Sequence, residues 1–110
     1  MEAIGEFTGT SEQVKVLIAN SELSLRKGEV KQALDMLKTV TADSPHYKAA
    51  RIAMADIYLK HTGDRRLYAK CFSDIVESEK TVANYLLLGE AFMKIQEPEE
   101  AIRVYQKALE

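Results

Sequence analysis

The side chains that could carry out catalysis or bind a metal are few and far apart. His46 and His61 stand 15 positions apart, at opposite ends of one predicted helix, whereas two histidines that share a metal on a helix are spaced four apart. The single cysteine, Cys71, cannot form a disulfide within the chain and has no partnered base. We expect surface or capping histidines and a buried, unreactive thiol.

Motifs that place a reactive group on phosphate, metal or an acyl carbon are also absent. The sequence contains no phosphate-binding loop, GxGxxG turn, HExxH site, CxxC pair or GxSxG elbow. The sequence therefore predicts that the protein is not an enzyme and needs no cofactor and no metal.

Two clusters of charged side chains have ordinary structural explanations. The acidic cluster, Glu97, Glu99 and Glu100, surrounds a proline at a predicted helix start, where carboxylates complement the helix dipole. The basic cluster lies around one predicted turn, beside Tyr68, and consists of Lys60, Arg65, Arg66 and Lys70. Contact with phosphate or lipid is the alternative to a solvated surface, but the net charge of −2 provides no attractive field. We predict no nucleic-acid partner.

Composition predicts one helical domain inside the cell. The 110 residues are 46% hydrophobic and 29% charged, and they include only two prolines and five glycines, too few for a protein of many strands. The longest apolar runs have four residues, where a membrane span needs about 20. The N-terminus lacks the pattern of a signal peptide. We expect a cytoplasmic protein without a membrane span.

The elements that position these side chains repeat every 34 residues. Matching columns contain Ile18, Ile52 and Leu86; Leu25, Leu59 and Met93; Glu22, Asp56 and Glu90; Arg26, Lys60 and Lys94; and Ala33, Leu67 and Ala101. Within each unit the apolar residues recur at helical spacing, with interruptions at Gly28, Gly63 and Glu97-Pro98. The pattern predicts helices near 12–27, 30–42, 46–61, 64–78, 82–95 and 98–110. Two start signals are Thr10 with Gln13, and Ser44-Pro45.

The units resemble the tetratricopeptide repeat (TPR) family, whose 34-residue signature combines Leu-Gly with spaced aromatic residues and alanines. The third unit carries most of the signature in Tyr85, Leu88-Gly89, Phe92, Ala101, Tyr105 and Ala108. The resemblance implies an all-α fold, a right-handed α-solenoid of antiparallel helix pairs with about three repeats and six helices. We expect a TPR array over 14–110, with repeats at 14–47, 48–81 and 82–110. Residues 1–13 are a leader or the tail of a preceding repeat, in which Ala3, Ile4 and Phe7 have helical spacing.

The second unit departs from the family pattern. Arg51 and Asp74 fall in columns that the family keeps apolar. Shifting the second helix of this unit by one residue places Phe72 and Ile75 in those columns instead. We therefore expect one extra residue in the turn formed by residues 61–64.

A closer resemblance is to the large TPR subunits of the intraflagellar transport A complex. It is carried by the strings VLIAN at 16–20, MADIYLKH at 54–61, RLY at 66–68, CF at 71–72, LLLG at 86–89 and IQEPEEA at 95–101. The resemblance implies a non-catalytic scaffold in ciliary retrograde transport and cilium assembly, located in the cilium and basal body, with other subunits of that complex as partners. Because the sequence stops within a predicted helix, we expect a fragment of a longer chain.

In TPR arrays the first helices of the repeats line a groove, and the resemblance maps that surface onto this sequence. The corresponding residues, our candidates for partner binding, are Ile18, Glu22, Leu25, Ile52, Asp56, Leu59, Leu86, Glu90 and Met93. Leu25, Leu59 and Met93 should form one continuous apolar strip, and Glu22 should pair with Arg26. The Lys and Asn residues with which chaperone-binding TPRs clamp a carboxylate are missing.

Two interpretations of this surface remain open. It binds an apolar helix or extended segment of a partner, or it packs against adjacent TPR repeats of the same chain. For the whole protein, the alternative to a scaffold segment is a free-standing TPR adaptor that binds a peptide or helix of a client protein.

Overall fold

The computed structural model describes residues 11–110, and this part of the chain is built of helices without a β-strand. The α-helices are α1 (Ser11–Arg26), α2 (Val30–Lys38), α3 (Tyr47–Ile57), α4 (Arg65–Ser78), α5 (Val82–Lys94) and α6 (Pro98–Ala108). The predicted all-α solenoid is confirmed. The expected cap at Thr10 and the helical spacing of Ala3, Ile4 and Phe7 lie outside the described residues.

Helix ends follow local signals in the sequence. Gly28, two residues after the end of α1, has a φ of 81°, a conformation that glycine adopts without steric cost. The Asp64 side chain accepts a hydrogen bond from the Leu67 N–H (3.0 Å) at the start of α4. Pro98 opens α6 with Glu99 and Glu100 in its first turn, so the acidic cluster marks a helix start as predicted.

The predicted second helix, 30–42, is too long. Helix α2 ends at Lys38, because the N–H groups of Thr39 and Val40 bond to carbonyls three residues back, at 3.2 Å each, instead of continuing the α pattern. The Thr39 hydroxyl also donates to the Met36 carbonyl (2.7 Å). A short hydroxyl-bearing, β-branched stretch thus closes the helix, which hydrophobic spacing alone did not indicate.

The predicted third helix, 46–61, divides into two parts. Helix α3 ends at Ile57, and Tyr58–Thr62 forms a π-helical turn that accommodates one more residue than an α turn. The Tyr58 carbonyl accepts hydrogen bonds from the Asp64 N–H (3.0 Å) and the Thr62 hydroxyl (2.9 Å). Gly63 ends the turn with a φ of 67°. The extra residue expected within 61–64 is therefore accommodated by the π-helical turn Tyr58–Thr62, which begins before that segment.

Packing proceeds from each helix to the next along the chain. Every helix contacts its sequence neighbours, which gives a single row of helix pairs with extents of 49 × 30 × 14 Å. Phe72 and Ile75 are buried, as the one-residue shift requires. Helices α5 and α6 approach closely at Gly89, where a Cβ atom would lie 2.7 Å from Cζ of Tyr105. Ala101, on the buried side of α6, is fully enclosed.

Arg51 on α3 and Asp74 on α4 are half-buried, and each is the other's ion-pair partner. Their side chains form an ion pair of 3.5 Å, and Lys70 lies 2.8 Å from the same carboxylate. The Arg51 guanidinium also lies over the Tyr47 ring, 5.0 Å from its centre. The two polar residues that depart from the family's apolar columns thus neutralise each other's charge.

Among residues 11–110 no helix combines the length and apolar character that a bilayer span requires.

Candidate partner-binding groove

A groove of about 590 Å³ runs across the first helices of the three pairs. We call it the central groove. Its walls come from α1, α3 and α5, and α4 contributes two aromatic side chains. The lining residues are Ile18, Glu22, Ala49, Ile52, Ala53, Ala55, Asp56, Leu59, Tyr68, Phe72, Leu87, Glu90, Ala91 and Lys94.

The central groove brings together six of the nine candidate residues. They are Ile18, Glu22, Ile52, Asp56, Leu59 and Glu90. Leu25 instead lies in a neighbouring depression with Glu22, Arg26 and His61. Leu86 and Met93 are 42% and 52% exposed and do not line the central groove. Leu25, Leu59 and Met93 therefore do not line one common groove.

Leu86 and Met93 do not line the central groove because another side of α5 faces it. Leu87, Ala91 and Lys94 recur at spacings of four and three, and together with Glu90 they form the side of α5 that lines the central groove. Leu86 and Met93 are seven apart and so share another side of the helix. Residues 34 apart are equivalent in the repeat, but a groove between helices uses different sides of the helices that flank it.

The central groove has an aromatic part that the sequence did not predict. Tyr68 and Phe72, one turn apart on α4, pack edge to face with ring centres 5.2 Å apart. The family pattern did not predict them, because it assigns the groove to the first helices of the repeats. The one-residue shift could have indicated them. It turns Phe72 inward, and Tyr68, one helical turn earlier, lies on the same side of α4.

The rim of the central groove is acidic. Asp56 pairs with Lys60 one turn away (3.3 Å), and both side chains are more than half exposed. The expected pair between Glu22 and Arg26 is not among the ion pairs of residues 11–110, so that prediction was wrong for this part of the chain. Burial raises the pKa of the Tyr68 hydroxyl, and the charges of Asp56 and Glu90 raise it further. Two carboxylates therefore act on the same phenol.

Comparison with known proteins agrees with an array of helical repeats. A family model described as "Tetratricopeptide repeat protein 21 ARM repeat" matches residues 1–75, and a tetratricopeptide repeat model matches residues 85–110. The chain belongs to the tetratricopeptide repeat protein 21 family. It is 52% identical over 108 residues to human tetratricopeptide repeat protein 21B and 43% identical to the Caenorhabditis elegans tetratricopeptide repeat protein 21 homolog. Each alignment covers 98% of this chain and 8% of the relative's length.

The remaining candidate residues of the sequence lie outside the central groove. Burial raises the pKa of the Cys71 thiol to about 11, which keeps it protonated and unreactive at neutral pH. His46 lies at the start of α3 and His61 is exposed in the π-helical turn. Among the described residues, no three His, Cys, Asp or Glu side chains are grouped to hold a metal ion. In the basic cluster, Lys60 pairs with Asp56 four residues before it, and Lys70 pairs with Asp74 four residues after it.

Proposed function

We propose that this chain is a non-catalytic protein-interaction segment of a scaffold that acts in ciliary retrograde transport. Its partners are other subunits of an intraflagellar transport complex, and it works in the cytoplasm, the cilium and the basal body. The proposal is supported by membership of the tetratricopeptide repeat protein 21 family and by the residue strings that resemble the large TPR subunits of that complex. We propose repeats at 14–47, 48–81 and 82–110.

The central groove is the observation that carries the proposal. α1, α3 and α5 each contribute apolar side chains to its lining, and Ile52, on the middle of these three helices in chain order, remains 39% exposed. Contiguous exposed apolar side chains bordered by charged ones are typical of a surface that another protein covers. The groove is suited to an apolar helix or extended segment of a partner.

Ile52 tests the groove better than Leu59. Leu59 packs partly against the core and belongs to the π-helical turn, so an aspartate there disturbs folding as well as the surface. Leu67 provides a matched control, because it is also 39% exposed but lies outside the central groove. Thermal unfolding of each variant establishes that its helices are retained.

The experiment compares Ile52→Asp with Leu67→Asp in the full-length protein expressed in ciliated cells. Quantitative affinity capture should recover subunits of the intraflagellar transport A complex with the unmodified protein and with Leu67→Asp, but far less with Ile52→Asp. Equal recovery by all three proteins contradicts a role for the groove. Recovery of client proteins without any transport subunit favours the adaptor instead of the scaffold.

A further inference from the structure

The central groove also selects for charge. We propose that its occupant is a cationic amphipathic helix, with apolar side chains against Ile52 and Leu87 and with Lys or Arg side chains beside Glu22, Asp56 and Glu90. This inference rests on the proposed function, namely that the groove holds a protein partner, and specifies which chemistry that partner presents.

The charge argument begins with the three carboxylates. One comes from each of the first helices α1, α3 and α5, and all three side chains are exposed at the groove. The lining contains one cation, Lys94, so three negative charges and one positive charge leave a net charge of −2. A partner of the same sign is repelled, whereas a positively charged partner is attracted before it makes contact.

These carboxylates are available to a partner. Glu22 and Glu90 take part in none of the ion pairs formed within residues 11–110. Asp56 has Lys60, but this pair is exposed and spans one helical turn, an arrangement that contributes about 0.3–0.5 kcal/mol. A cation of the partner can therefore replace Lys60 at small cost.

The backbone of the groove favours a helix over an extended segment. The walls are helices, whose backbone N–H and C=O groups form hydrogen bonds within each helix. The described part of the protein offers no strand edge. An extended occupant would find no strand there with which to pair its backbone. A helix satisfies its own backbone and presents only side chains to the groove.

Synthetic peptides test the charge preference directly. Three 18-residue amphipathic peptides share the same leucine positions and carry lysine, glutamine or glutamate at every polar position. Fluorescence anisotropy measures their binding to the unmodified chain, to the groove variant E22Q/D56N/E90Q, and to the control variant D35N/E77Q/E99Q. The control removes the same number of exposed carboxylates from the second helices α2, α4 and α6.

We expect the Leu/Lys peptide to bind at least tenfold more tightly than the Leu/Gln peptide. The groove variant should lose this difference and the control variant should keep it. The inference is overturned if Leu/Gln binds as tightly as Leu/Lys, or if both triple variants weaken Leu/Lys binding equally, which would indicate general attraction to an acidic protein. In those cases Ile52→Asp still tests the groove: the proposed function fails separately if that change leaves the binding of every peptide and transport subunit unaltered.

Discussion

Cys71 is a residue whose surroundings determine its chemistry. It is 2% exposed, and burial raises the pKa of its thiol from 9.0 to about 11. Arg51 and Lys70 lower this pKa and Asp74 raises it, but burial is the largest cause of the shift. The thiol therefore acts as a small apolar core group, in agreement with its position among residues at helical spacing.

This pKa predicts a dependence of stability on pH. Between pH 9 and about pH 11 the unfolded thiol loses its proton while the folded thiol keeps it, so the free energy of unfolding should fall as the pH rises through this range. The full effect is roughly 3 kcal/mol. Urea denaturation at pH 8 and pH 11 checks it, with Cys71→Ala as the reference that lacks the thiol. Parallel losses in both proteins would contradict a buried, protonated Cys71.

Ala101 predicts how tightly the third helix pair is packed. The residue is fully buried, so Ala101→Leu should overpack the contact of α6 and lower the free energy of unfolding by roughly 1–3 kcal/mol. Ala83→Leu on α5 is the control, because Ala83 is exposed. If the two variants melt at the same temperature, the alignment of the third unit with the repeat is incorrect.

At the scale of elements, the π-helical turn explains how an irregular second unit fits a regular array. Tyr58–Thr62 takes up one additional residue, after which Phe72 and Ile75 face the core. An insertion of this kind usually appears as a local widening of a helix when tertiary contacts hold both sides in place. The core of the second pair is thus preserved at the expense of one irregular turn.

Removal of one residue from this turn should be tolerated. Deleting the exposed His61 allows the segment to wind as an ordinary α turn, so the free energy of unfolding should change by less than about 1 kcal/mol. Deleting Ala53 within α3 rotates the following residues by about 100° and should cost several kcal/mol. Urea denaturation distinguishes these results. Equal destabilisation by the two deletions would show that the π-helical turn is required for the fold.

The sequence predicted that the helices exist more accurately than it predicted where they end or which residues line the groove. Apolar spacing, Gly28 and Pro98 indicated the helix pairs because these signals are local. The spacing did not distinguish Leu86 from Leu87, since both belong to a run of three leucines and only the packing of α5 within the array decides which one faces the groove. Nor could residue counting reveal a π turn, because an inserted residue fits equally well in a loop.

At the scale of the whole molecule, helix pairs packed in sequence order produce a surface that no single pair contains. The central groove takes its walls from three helices far apart in the chain and its aromatic residues from a fourth. This chain represents 8% of the length of its tetratricopeptide repeat protein 21 relatives. The groove is thus the part of the proposed scaffold that this chain supplies.

Site-specific photocrosslinking tests the groove most directly. p-Benzoylphenylalanine replaces Ile52 in the central groove or the equally exposed Leu67 outside it, in full-length protein expressed in ciliated cells. If the groove binds a transport subunit, irradiation should join that subunit to the protein labelled at position 52 and not to the protein labelled at position 67. Crosslinks from position 67 alone, with none from position 52, would contradict the central claim.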